Sequence, residues 1–171
     1  MAGEIGHVVV DESAALCRCG QRGCLEAVAS GPAIARAWPK GLEATAATAL
    51  FAAASAGDPA AEKVAGRIAG YLTIALTWLA AAYDTERIVI GGGVSDAGDT
   101  FLSAIRARIS RQAATSDLAA RRLRPDQVTL ADREDPPGAR GAAILAARSL
   151  LPHSLLTERE PPARTQATNA K

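Results

Sequence analysis

The chain has 171 residues, 49% hydrophobic and 22% charged, enough for one globular domain with a real core or two small lobes. A net charge of +1 excludes a strong field drawing the chain to nucleic acid or an anionic membrane. Aromatic residues make up only 4%, which leaves no base-stacking platform for single strands and requires a core of Ala, Leu, Val and Ile in closely packed helices. The opening Met1-Ala-Gly-Glu-Ile-Gly-His7 has neither a basic start nor an apolar run, so no signal peptide is expected. Three Cys is an odd number, and Cys17-x-Cys19 is too close for an easy disulfide, which points to a reducing cytoplasm.

In chain order, Val8-Val9-Val10 predicts a short strand closed by Asp11-Glu12-Ser13. A Cys-rich loop follows, in which Gly20 and Gly23 permit tight turns. Leu25 to Ala29 predicts a short helix, Ser30-Gly31-Pro32 resets the chain, Ala33 to Trp38 makes another turn or two, and Pro39-Lys40-Gly41 is a loop. Thr45 to Ser55 predicts a helix that stops at Gly57. Asp58 as N-cap and Pro59 at the first position open a helix running to about Tyr83. Its apolar stretch, Ile68 to Tyr83, is 16 residues long, short of the roughly 20 a membrane span needs. Glu62, Lys63 and Arg67 precede that stretch, as in a core helix emerging to the surface, so no membrane partner is expected.

Arg87 to Ile90 predicts a buried strand ended by Gly91-Gly92-Gly93, with Ser95 or Asp96 capping a helix through about Ala113. Arg106, Arg108, Arg111, Arg121, Arg122 and Arg124 form a basic stretch that reads as a solvated helix face and loop rather than a phosphate track, so no nucleic acid partner is expected. Gln127 to Ala131 predicts the next strand, Asp132 to Gly138 a polar loop, and Arg140 to Leu151 the last helix. From Pro152 to Lys171 the composition predicts a disordered tail. The back half alternates helix, strand, helix, strand, helix, which is the α/β pattern with parallel strands joined by right-handed crossovers.

The chemistry concentrates near the start. His7, Cys17, Cys19 and Cys24 fall within 18 positions and include every Cys of the chain. Three thiolates and one imidazole match tetrahedral zinc by softness and number. With all four positions filled by protein, such a site is structural and pins a loop too short and polar for a core of its own. The competing reading is three reduced Cys and an unrelated His. A metal-bound imidazole gives its second N–H to an acceptor. With Glu4 and Glu26 flanking the motif, that acceptor is either a ligand hydroxyl or a backbone carbonyl.

Three segments together resemble the ROK family of bacterial glucokinases, other sugar kinases and sugar-responsive repressors. They are Glu4-x-Gly-His7, Cys17-x-Cys19-Gly-x-x-Gly-Cys24-x-Glu26 and Gly91-Gly-Gly-Val-Ser95, with Gly141-Ala-Ala fitting the family's closing segment. The zinc signature is specific, whereas the glycine triplet alone is weak. The resemblance implies an α/β, actin-like (ribonuclease-H-like) fold. Residues 1–151 would be its C-terminal lobe, with a zinc and sugar segment at 4–26 and a nucleotide-side segment at 87–113. It implies that Glu4, Glu26 and His7 contact sugar hydroxyls, that His7 also binds zinc, and that Gly91, Gly92 and Gly93 meet the adenosine end of ATP. A plain strand-to-helix turn is the other reading of that triplet.

The implied activity is ATP- and Mg²⁺-dependent phosphorylation of a hexose, with glucose the best guess. The sugar-sensing portion of a repressor is the alternative. The family's habit suggests a homodimer. The sequence holds no Asp-x-Gly-Gly-Thr phosphate loop and no Asn-Asp pair supplying the catalytic base. No catalytic residue is therefore assigned, and the chain is expected to be inactive alone. Where the family often has Asn and Pro before the Arg87 strand, this chain has Tyr83-Asp84-Thr85.

Overall fold

The computed structural model describes residues 3–40, 45–132 and 137–150. The chain divides into two compact units, Met1–Arg133 and Glu134–Lys171. The end of the Pro39–Gly41 loop, most of the 132–138 loop and the 152–171 tail lie outside the described residues.

In the first unit, α1 (Leu25–Ala29) and α2 (Gly31–Ala37) meet at Ser30, whose hydroxyl accepts from Ala33 N at 3.4 Å. Next, α3 (Ala46–Ser55) ends in a turn at Gly57, which has a φ of +86°. Asp58 then caps α4 (Pro59–Tyr83), accepting from Ala60 N at 2.9 Å and Ala61 N at 3.1 Å. The helix closes on Asp84, held left-handed at φ 48°, a conformation Asp tolerates better than most side chains. The departure at Tyr83-Asp84-Thr85 is accommodated by that turn. Strand β1 (Ile88–Ile90), α5 (Gly98–Ala113), α6 (Asp117–Arg122) and β2 (Val128–Leu130) follow. The strands pair in parallel, Ile88 with Val128 and Ile90 with Leu130. Arg106 joins α5 to the sheet, its guanidinium donating to Val128 O at 2.8 Å and Pro125 O at 3.1 Å. In the second unit, α7 spans Pro137–Leu150, starting three residues before the expected Arg140.

The core forms where α3, α4 and α5 pack together. Phe51 and Phe101 are fully buried and meet edge to face, ring centroids 5.1 Å apart. Ala61, Ala65 and Ala69 form the small-residue face of α4 that lets the helices approach.

Several expectations need correction. Val8–Val10 is not a strand; Val9 makes a single antiparallel bridge to Cys24, because the segment is held by an irregular loop rather than a sheet. Strand β1 is only half-buried and Val89 is 57% exposed, since β1 pairs with β2 alone among the described residues. Neither Ser95 nor Asp96 caps α5. A 3-10 turn over Gly93–Ala97 precedes it, Ser95 Oγ donates back to Gly92 O at 2.6 Å, and Ala97 is the N-cap. The short α6 was not foreseen; Ser116 starts it by accepting from Ala119 N at 3.1 Å. The full α4 has 25 residues and is long and apolar enough to cross a membrane by length and composition. Eight of its residues are nonetheless buried in this unit, the packing of a core helix.

Candidate functional site

The segment 4–24 folds as an irregular hairpin. Asp11 starts its turn, with Oδ1 accepting from Ser13 N at 3.1 Å and Ser13 Oγ at 2.6 Å. The returning arm pairs rung by rung: Val10 N donates to Gly23 O at 2.8 Å, Val9 bridges Cys24, and Leu25 N donates to Val8 O at 2.9 Å. At the tip, Cys17 N donates to Gln21 O at 2.7 Å and Gly20 turns at φ +92°. Gly23 (φ +73°) is the tightest point, since a Cβ there would lie 1.7 Å from Asp11 O. At the open end the ladder leaves His7 in a 3-10 turn, Ile5–His7, facing Glu26 in the first turn of α1.

This folding brings all four expected metal ligands together. The donor atoms of His7, Cys17, Cys19 and Cys24 lie within 4.8 Å of one another. Cys17 Sγ is 3.6 Å from His7 Nδ1, and Cys19 Sγ is 3.6 Å from Cys24 Sγ. A tetrahedral cage with ordinary zinc bond lengths requires about 3.8 Å between sulfurs and about 3.6 Å from sulfur to nitrogen. The donor set therefore fits a four-coordinate ion in both chemistry and size.

The electrostatics agree. The Cys19 thiol is drawn down to about 6, chiefly by the backbone N–H of Gln21 aimed at its sulfur. The Cys24 thiol is pushed up to about 12, first by burial and then by the neighbouring Cys19 and Cys17 sulfurs. Sulfurs this close resist joint ionisation, and a cation among them removes that resistance.

The other face of the imidazole looks outward. His7 Nε2 lies 3.7 Å from Glu4 Oε2 and 3.8 Å from Glu26 Oε2. These gaps are too long for hydrogen bonds. The carboxylates are 55% and 47% exposed, so a guest can reach them. One ring nitrogen thus faces the sulfurs while the other stands between two acceptors. A neutral hydroxyl compound can donate to both carboxylates and accept from the Nε2–H.

The glycine triplet stands on other elements, between β1 and the 3-10 turn that leads into α5. Gly92 has a φ of +88°, and a Cβ added at Gly92 or Gly93 would meet nothing within 4 Å. The space in front of this backbone is open.

Two partners of the site were not read from the sequence. Asp11 looked like the mere end of a strand, and Tyr71 like one more apolar residue of α4. Tyr71 Oη donates to Asp11 Oδ2 at 2.5 Å. The available signal was a Tyr in the middle of an Ala- and Leu-rich helix, whose hydroxyl needs a partner when half-buried.

The model of the ROK family matches residues 1–149. The chain belongs to the ROK family. It is 45% identical over 122 residues to a glucokinase of Halalkalibacterium halodurans, covering 62% of this chain and 37% of that enzyme. It is 32% identical over 146 residues to an N-acetylmannosamine kinase of Citrobacter koseri, covering 85% and 47%. The chain therefore spans less than half the length of these relatives.

Among solved structures, the ROK hexokinase of Thermus thermophilus superposes with a TM-score of 0.57 at 30% identity, over 78% of this chain and 44% of that one. The ROK glucokinase of Streptomyces griseus, in complex with glucose and AMPPNP, gives 0.52 at 32% identity, over 65% and 41%. A ROK transcriptional regulator, a homologue of the E. coli MLC protein, gives 0.54 at 29% identity, over 75% and 34%. These ROK neighbours and the parallel β1–β2 pairing together give the α/β, actin-like ATPase fold.

Proposed function

We propose that this chain is the sugar-binding lobe, residues 1–151, of a ROK kinase that phosphorylates a hexose with MgATP, glucose being the best candidate. Zinc is held by His7 Nδ1 and the sulfurs of Cys17, Cys19 and Cys24. Its role is structural: it fixes the hairpin and the orientation of the imidazole. Sugar hydroxyls donate to Glu4 and Glu26 and accept from His7 Nε2–H, charge-assisted bonds that charged acceptors make strong. Gly91, Gly92 and Gly93 offer the nucleotide an approach unobstructed by side chains.

The observation that carries this reading is the division of His7. Its Nδ1 lies 3.6 Å from Cys17 Sγ, and its Nε2 lies within 3.8 Å of two carboxylates. The glucose held by the Streptomyces griseus relative, and the kinases among the sequence relatives, support the choice of substrate.

Calorimetric titration of the zinc-loaded chain with glucose tests the proposal, with Glu26→Gln alongside. The amide keeps the shape but weakens one acceptor and adds a misplaced donor. A hydrogen bond to a charged group contributes about 1.5–3 kcal/mol, so Glu26→Gln should weaken binding about 10- to 100-fold. Equal affinities, or no binding to wild type, would refute the sugar assignment. The sequence holds neither phosphate loop nor Asn-Asp pair, so the 171 residues alone are proposed to bind sugar without transferring phosphate. Sugar-dependent release of ADP by the purified chain would contradict this.

A second reading is favoured by the regulator among the structural neighbours: the sugar-sensing part of a ROK repressor. Titration with AMPPNP separates the two, because a kinase lobe uses the glycine turn and a sensor needs no nucleotide.

A further inference from the structure

We infer that Tyr71 is a positioning residue: by clamping Asp11 onto α4 it sets where His7 and Glu4 stand relative to Glu26. The inference rests on the proposed sugar site and names a part of it outside the metal and carboxylate motif.

The geometry runs through the ladder. Asp11 is the last rung before the first arm turns away at Asp11–Ala14. Asp11 N donates to Gly23 O at 3.3 Å, and the backbones of Asp11 and Gly23 approach so closely that a Cβ at Gly23 would overlap Asp11 O. From there the rungs step inward through Val9–Cys24 and Val8–Leu25 to His7 and Glu26. Three residues, Val8 to Val10, separate Asp11 from His7, a reach of at most roughly 13 Å. A shift of the Asp11 rung is thereby passed along a short, paired segment.

Both sides of the site refer to one element. Helix α1, which carries Glu26, packs on α4. The arm that carries Glu4 and His7 is tied to the same helix by Tyr71 Oη, 2.5 Å from Asp11 Oδ2. Among the described residues this is the only hydrogen bond between the hairpin and α4. Both Asp11 oxygens are used, Oδ1 by Ser13 and Oδ2 by Tyr71, so the carboxylate has one defined orientation. Arg67, one turn earlier on α4, adds an attractive charge near Asp11. A short charge-assisted O–H···O⁻ bond is stronger and more directional than a neutral one. The hairpin otherwise has few buried contacts with which to hold its angle to α4, since Cys17 and Cys24 are its only buried side chains.

The test is Tyr71→Phe in the full chain, which deletes one oxygen and keeps the ring. Three quantities are read: cobalt(II) absorption of the thiolate site, glucose affinity by calorimetry, and amide exchange by mass spectrometry. Tyr71→Phe should bind cobalt with the wild-type spectrum and stoichiometry and keep slow exchange in α3 and α5. Exchange across residues 8–13 should quicken and the glucose Kd should rise about tenfold. Asp11→Ala, which also removes the Ser13 bonds, should show at least these effects, and adding Tyr71→Phe to it should make them no worse, as expected for two halves of one bond.

Wild-type exchange at residues 8–13 together with wild-type Kd in Tyr71→Phe overturns the inference. So does a uniform rise in exchange through α3, α4 and α5, which marks a general packing role instead. If wild type binds cobalt but no glucose, the sugar reading fails. The local exchange at residues 8–13 then still decides whether Tyr71 anchors the arm.

Discussion

Replacing Gly23 by Ala adds one carbon at the point where the two arms of the hairpin are closest. That Cβ would lie 1.7 Å from Asp11 O and 2.3 Å from Asp11 C, where real Cβ contacts do not fall below 3.0 Å. The obstruction is backbone, so no side chain can turn aside; the arms must part by at least about 1.3 Å at that rung. His7 lies on one arm and Cys24 on the other, whereas zinc bonds tolerate errors of only about 0.2 Å. Gly20→Ala is the matched control. Its φ of +92° also strains an L residue, by about 1–2 kcal/mol, but its Cβ would meet nothing within 4 Å. Competition with a chromophoric chelator reads the outcome. Gly23→Ala should lose at least about 100-fold in zinc affinity, the upper end of the cost of losing a ligand's support, while Gly20→Ala should lose far less. Gly23→Ala with one zinc per chain and wild-type competition would refute the argument that the Asp11–Gly23 contact sets the cage.

Stripping the metal, or Cys19→Ser, should lower the melting temperature and quicken exchange in residues 4–24 first; a melting curve indifferent to chelator would rule out a structural ion. Phe101→Ala removes a fully buried ring and its edge-to-face partner contact with Phe51, and should cost about 3–5 kcal/mol in urea unfolding. The Asp58 carboxyl is held below its ordinary 3.8, chiefly by the backbone N–H of Ala61, with Ala60 and Lys40 adding to it. A depressed carboxyl stabilises the fold above its unfolded value and loses that contribution as pH falls through the folded value. Asn caps as well as Asp but does not titrate. Melting temperature should therefore fall more steeply below pH 3.8 in wild type than in Asp58→Asn, and parallel curves would refute the role.

The sequence was most legible where local chemistry decides. Asp58-Pro59 placed the start of α4 and Gly57 the end of α3, because an N-cap and a left-handed turn depend on neighbours alone. The Cys and His spacing foretold that these four side chains cluster, because they share one short loop with Gly20 and Gly23 at its turns. Legibility failed where pairing decides. Val8-Val9-Val10 has strand-forming residues, yet the partner it meets is the irregular arm around Cys24, so only one bridge forms. The apolar run of β1 suggested burial, but coverage depends on what lies across the sheet, which no local pattern reports. Ser95 looked like a cap and instead turns back onto Gly92, because a 3-10 turn intervenes before α5. Tyr71 and Asp11 stand 60 residues apart, beyond the reach of any spacing argument.

The hairpin also shows what the proposed metal would supply. Within residues 3–24, Cys17 and Cys24 are the only buried side chains, Gly23 between the two arms having none, and both belong to the proposed cage. Leu16, which a larger loop would tuck inside, is 63% exposed. Burial on this scale cannot offset the entropy of ordering some twenty residues, at about 1 kcal/mol or more each for the backbone. Coordination can, since a structural zinc contributes on the order of 10 kcal/mol in small sites. In the proposed site, the same atom that replaces a core also fixes one nitrogen of His7. The other nitrogen then has one direction in which to point, between Glu4 and Glu26. Holding the loop and aiming the binding groups are consequently one event, so any change that frees the metal should abolish sugar affinity while leaving the Phe51–Phe101 core folded.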